Sequence, residues 1–360
     1  MTAKELAEKT EYLRNSAFIY RDLANGLTDD HRRRILARGV LVALDSFLKM
    51  APQLKNRLPN TTRAEKDFRG HVEERLDQLK RDYDAHSGGY FDKIRDGFAG
   101  HRLPIALGDV IELWTDIDQS VGDVLAGDMQ DVCSDLSAFG ISPVSPNLHT
   151  EIASAIPLIN GLIGNGAGPH VSADDLGMTR LNTVSLVPNQ GQIRYCGIVS
   201  LIEFTTFEWR CAAAITTDDV QERLIALILL DAFNFLDNLY NEKDQNGHTI
   251  YDELLLTNRP EAAAVLKGGI DARDSALEAE LRNVRNHFAA HLDQTMSLHD
   301  IRAEMKGARL ADFGVYIGKH ITVFRSMCAS HVTLQPFLIH DKQIKGFDDI
   351  ANRPKGFDLH

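Results

Sequence analysis

An all-α protein with two helical bundles in tandem is the fold this sequence predicts, and three observations predict it. Apolar residues recur at helical spacing over most of the 360 residues. Capping signals stand just ahead of the longest of these runs. A set of local features also occurs twice, in the same order, in the two halves. The expected organisation is a first helical domain over 1–135, a linker with a small β-hairpin over 136–204, a second helical domain over 205–335 and a C-terminal tail over 336–360.

Taken in order, Leu6, Leu13, Phe18 and Leu23 predict a first amphipathic helix. Thr28, Asp29 and Asp30 offer side-chain oxygens to the free amides of a second, which runs through LARGVLVALDSFLKM toward Pro52. A third, polar helix is expected over about 61–85, and HSGG at 86–89 breaks it. The phrase IRDGFAGH (94–101) opens the next helix, Pro104 interrupts the pattern, and a further helix continues through Trp114. ISPVSPNLH and GLIGNGAGPH then read as linker or long loop. TVSLVPNQGQIRYCGIV (183–199) alternates around Asn-Gln-Gly as a hairpin would. Thr217, Asp218 and Asp219 cap the helix VQERLIALILLDAFNFLDNLY.

The second half repeats the plan of the first. Leu-Asp-Ala-Phe at 230–233 echoes Leu-Asp-Ser-Phe at 44–47, and VRNHFAAHLD at 284–293 echoes IRDGFAGH. Asp45 precedes Arg95 by 50 residues, and Asp231 precedes Arg285 by 54. Duplication of one helical domain explains this order; the period is too long and the copies too few for a solenoid. Asp45 and Asp231 read as helix-packing partners.

Composition narrows the function classes. Cys133, Cys196, Cys211 and Cys328 are scattered, with no CxxC pair, which suits free thiols in a reducing compartment. The N-terminus is too polar for a signal peptide and no apolar run approaches about 18 residues, so a soluble cytoplasmic protein with no membrane partner is expected. A net charge of −12 opposes broad binding to nucleic acid. HRRRILAR at 31–38, with Lys49, Lys55 and Arg57, is a local exception that reads most simply as a solvated basic helix face. Any nucleic-acid role must therefore come from a local positive pocket.

On a helix, Ile94, Phe98 and His101 share one stripe, as do Val284, Phe288 and His291. Arg95 and Arg285 stand six residues before their histidines, about a third of a turn round the axis and about 9 Å along it. A single copy reads as a core histidine beside an arginine paired elsewhere. Two copies in matching context suggest chemistry. Arginine presents a fixed fork of donors suited to phosphate and stays charged. Histidine can take a proton from a hydroxyl or give one to a leaving oxygen. Cleavage of RNA by its own 2′-hydroxyl needs both acts, and two Arg-His pairs supply base, acid and phosphate clamp without a metal ion.

The pattern R-[DN]-x4-H late in a helical bundle resembles the signature of the HEPN superfamily, over roughly 10–130 and 205–335. That resemblance implies two HEPN-like domains forming an intramolecular pseudo-dimer, and a metal-independent endoribonuclease with one shared site. Carried over residue by residue, it implies catalytic roles for Arg95, Asp96, His101, Arg285, Asn286 and His291, with no cofactor and no metal. RNA is the implied substrate. A toxin or phage-defence setting with a neutralising or regulatory protein partner is implied by analogy, and further homo-oligomerisation is open. Family members that receive nucleotides often carry a tyrosine two residues past the histidine; here those positions are Leu103 and Asp293. The runner-up readings are a non-catalytic helical module that binds RNA or protein, and a nucleotide-binding regulator.

Other motifs are weaker. His287 and His291 are four apart, as zinc ligands can be, but the glutamate of HExxH is replaced by Phe288, and Gly97 occupies the place of His287 in the first copy. GNGAG at 164–168 lacks Gly-Lys-Ser/Thr and reads as a turn. Glu242 to Gly247, with Glu253 beyond, has a calcium-loop spacing with the wrong first residue, and reads as a polar interhelical turn.

Overall fold

In a computed structural model, residues 2–87, 119–141, 148–164, 190–215, 218–244, 246–290, 292–293 and 295–337 are described. Among them there are helices and turns and no strand. The α-helices are α1 (Ala3–Gly26), α2 (Asp30–Arg57), α3 (Arg63–Ser87), α4 (Gln119–Ala138), α5 (His149–Gly164), α6 (Gln190–Ala214), α7 (Asp218–Tyr240), α8 (Ile250–Leu256), α9 (Pro260–Asp271), α10 (Ser275–Val284), α11 (Leu298–Gly307) and α12 (Leu310–Ala329). A π-helical turn covers Arg285–Ala290 and a 3-10 helix covers Val332–Phe337.

The chain divides into two units, Met1–Pro157 with Asn286–Gly307, and Leu158–Arg285 with Ala308–His360. Within the first, α1 begins in a capping box: Thr2 Oγ1 accepts from the Glu5 amide at 3.2 Å, and the Glu5 carboxylate accepts from the Thr2 amide at 2.7 Å. The three residues Leu27, Thr28 and Asp29 turn the chain, and α2 returns along α1. Asp29 is the cap, accepting from the Arg32 amide at 2.8 Å. Close packing of this helical hairpin depends on Gly39. A Cβ built there would lie 2.5 Å from the Tyr20 ring, which is itself buried. Gly39→Ala is therefore expected to destabilise the protein by about 1–3 kcal/mol, because overpacking outweighs the helix propensity gained; a lowered thermal midpoint checks this.

α2 differs from its sequence expectation in two respects. It runs through Pro52 to Arg57, because Leu54 and Leu58 beyond the proline are fully buried and hold the last turns in place. The expected solvated basic face is also incomplete: Lys49 and Arg57 are exposed, whereas two of its arginines are buried. Arg32 is buried and paired with Asp29 at 3.2 Å, and Arg38, 1% exposed, donates to the Ile35 carbonyl at 2.9 Å. The helix packs against α1, α3 and α4, and these contacts cover the faces that carry Arg32 and Arg38. α3 and α4 are joined by stacking of Phe68 on Phe139 (3.9 Å between ring centres) and by Arg75, which bridges Asp131 and Asp135 at 2.7 and 2.8 Å.

The second unit also contains a long helical hairpin, formed by α6 and α7. Residues 190–199, expected as the second limb of a β-hairpin, are the start of α6; the first limb, 183–189, lies outside the described residues. The alternation that suggests a strand overlaps a helical stripe of buried Tyr195, Ile198, Leu201 and Ile202, and the helical stripe prevails. Gly314 of α12 lies directly against the Trp209 indole of α6. Phe233 of α7 stacks on Phe313 of α12 at 5.1 Å. Asp45 and Asp231, the aspartates of the two LD[SA]F phrases, are both buried, and Asp45 is paired with Lys49 at 2.8 Å. No helix among the described residues is long and apolar enough to cross a membrane.

Candidate functional site

Arg95, Asp96 and His101 of the first motif copy, and His291 of the second, lie outside the described residues. Arg285 and Asn286 are described, and α10 delivers them. Asp274 caps that helix, accepting from the Ala276 and Leu277 amides at 3.1 and 3.0 Å. Its buried stripe of Leu277, Leu281 and Val284 continues into Phe288, as the sequence spacing requires. The backbone, however, is not the straight α-helix assumed in the sequence reading. From Arg285 to Ala290 it opens into a π-helical turn, and the Asp293 amide closes it on the His287 carbonyl at 2.8 Å. Such turns are rare, appear mostly as single-turn bulges within α-helices, and are frequent at functional sites.

The division between the two units falls inside the motif, between Arg285 and Asn286. In its own unit Arg285 is half-buried, with Nη2 donating to Asn234 Oδ1 of α7 at 3.4 Å. Burial pushes its guanidinium down, and the Asp237 carboxylate opposes that. Asp237 is itself gripped by both terminal nitrogens of Arg282 at 2.9 Å. Burial pushes Asp237 up, but the Arg282 hydrogen bonds and charge outweigh it and hold the carboxyl below its ordinary value. Asn234 and Asp237 escaped the sequence reading. Their signal is spacing, since they follow Asp231 by three and six residues along one helix.

In the other unit Asn286 is exposed and Phe288 packs on Tyr12 of α1, with ring centres 5.8 Å apart. His287, considered from sequence only as half of a zinc pair, stands between two carboxylates. Its Nδ1 is 2.8 Å from Glu304 Oε2 of α11, and its Nε2 is 4.0 Å from Asp293 Oδ2. Asp293 Oδ1 accepts from the Thr295 amide, the Thr295 hydroxyl and the Met296 amide at 2.6, 2.7 and 3.0 Å. Burial raises the Asp293 carboxyl, but those hydrogen bonds bring it below the usual range. Lys9 of α1 is fully buried and donates to the Asp293 carbonyl. Burial depresses its ammonium, with the Asp293 charge opposing.

Among the described residues no group of three or more His, Cys, Asp or Glu is arranged to hold a metal ion. In the calcium-like loop, Asp244 Oδ1 accepts from the Asn246 and His248 amides at 2.8 Å. Arg194 of α6 donates to the Glu242 and His248 carbonyls, so an internal cation sits on the His248 carbonyl, the backbone oxygen that a calcium loop would offer. Comparison with family models, curated proteins and solved structures gives no match.

Proposed function

We propose that this chain is a cytoplasmic, metal-independent endoribonuclease with tandem HEPN-like domains and one composite site built from both R-[DN]-x4-H copies. The observation that carries the reading is the duplication of that motif at a matched distance behind a matched LD[SA]F helix. Support comes from the long helical hairpin in each unit, the buried aspartate of each LD[SA]F phrase, and the π-helical turn at the second copy.

In this reading Arg95 and Arg285 bind the scissile phosphate and stabilise its developing charge. His101 and His291 exchange the protons, and Asp96 and Asn286 orient these groups. The 2′-oxygen attacks phosphorus, the bond to the 5′-oxygen breaks, and a 2′,3′-cyclic phosphate and a 5′-hydroxyl result. Two arginines supply the charge that a metal ion supplies elsewhere, which is why no metal enters the scheme. A toxin or phage-defence role, with a neutralising protein partner, rests on family analogy.

Net charge of −12 favours a second reading, a non-catalytic module that binds protein or RNA. Incubation of the purified chain with mixed RNA in EDTA separates the two. Fragments ending in cyclic phosphate support the nuclease, and intact RNA supports the binding module.

A further inference from the structure

The wide turn at 285–290 presents one imidazole in a defined orientation. Glu304 Oε2 lies 2.8 Å from His287 Nδ1, and a carboxylate can only accept, so Nδ1 carries the proton in that bond. The neutral ring then has its lone pair on Nε2. Nε2 makes no hydrogen bond to Asp293, since 4.0 Å is too long, and Asp293 Oδ1 is already committed to Thr295 and Met296. The His287 side chain is 31% exposed and that of Glu304 39%, so a substrate can approach. Two residues of α1 hold the chain on either side of His287: Lys9 fixes the Asp293 carbonyl and Tyr12 packs on Phe288. A π turn and an orienting carboxylate thus meet at one accessible histidine.

We infer that His287, oriented by Glu304, is a further catalytic residue, the general base that takes the 2′-hydroxyl proton of the RNA. This rests on the ribonuclease reading. The proton moves from the 2′-oxygen to Nε2 as the new O–P bond forms. The P–O5′ bond breaks, and the leaving 5′-oxygen takes a proton from one motif histidine; the other binds the phosphate beside the arginines, and His287 takes over its share of the proton exchange. The imidazolium so formed lies between the Glu304 and Asp293 carboxylates, which stabilise it. Gly97 stands at the corresponding place in the first copy, so only the second copy supplies this base. Glu304, Asp293 and Lys9 are positioning residues.

Nitrogen NMR of the histidine rings and RNA cleavage test this together. The wild-type spectrum is expected to show His287 with its proton on Nδ1, and Glu304→Leu to lose that fixed tautomer. His287→Gln keeps a donor for Glu304 but cannot take a proton; it is expected to cleave RNA about 100-fold or more slowly with unchanged KM. Glu304→Leu is expected to slow cleavage by a smaller factor. A wild-type ring protonated on Nε2 instead of Nδ1 overturns the inference without recourse to any variant. Wild-type rates in His287→Gln overturn it and leave the ribonuclease reading standing. Intact RNA after incubation with the wild type overturns both.

Discussion

Replacing His291 or His101 by alanine is expected to abolish RNA cleavage in EDTA, each change alone being as damaging as both together. A positioned acid or base contributes about 10²–10⁴ in rate, and groups that act as one unit lose most of it on the first deletion. Product analysis and single-turnover rates check this, with circular dichroism as the test of folding. If the two single variants instead lose modest, additive amounts, the motif copies act separately and the composite site is refuted. Activity that disappears only in EDTA sinks the metal-free scheme. Arg285→Lys discriminates further. A phosphate clamp loses its planar fork and slows, whereas a residue needed only for charge next to Asn234 and Asp237 tolerates lysine.

Helical content was legible in the sequence because it is written in two redundant signals, periodicity and caps. The Asp29 cap of α2 and the shared buried face of Val284 and Phe288 follow from spacing alone. Two local readings failed where one signal stood without the other. The apolar alternation at 193–199 looks like a strand until Leu201 and Ile202 complete a helical face. Pro52 looks like a helix end until the burial of Leu54 and Leu58 outweighs its missing amide.

The candidate site was legible in residue type but not in geometry. Its arginine and asparagine could be named from the motif, whereas the π turn could not, since it depends on how the chain closes from Asp293 onto His287. The environment of His287 is a product of tertiary packing: Glu304 is 17 residues away in sequence, and Lys9 is 284 residues from Asp293. Arg32 and Arg38 show the same limit from the other side. Their charge suggested a wet face, and only the packing of α2 on three helices reveals that they are buried.

Acid is expected to unfold this protein through His320 before most carboxylates contribute. That side chain is 2% exposed on α12, and its Nδ1 lies 2.6 Å from the Tyr240 hydroxyl. Tyr316 packs edge-on at 4.3 Å, and its hydroxyl donates to Glu278, which also holds Arg273 at 2.8 Å. Burial pushes His320 from 6.5 down to about 4; Glu278 favours the proton, while Arg273 and Lys319 disfavour it. The folded protein therefore holds this ring neutral, and between pH 4 and 6.5 the unfolded chain binds one proton more. Stability rises with pH across that window by up to about 1.4 kcal/mol per unit, and the full contribution, about 3 kcal/mol, is present above pH 6.5. It is lost as pH falls toward 4, below which both states carry the proton and this group contributes no further change. Denaturant unfolding at several pH values, in wild type and in His320→Gln, isolates the effect. Glutamine still accepts from Tyr240 but does not titrate, so the difference in slope between the two proteins belongs to His320; equal slopes would show that the ring is protonated, or out of reach of its burial, in the folded chain.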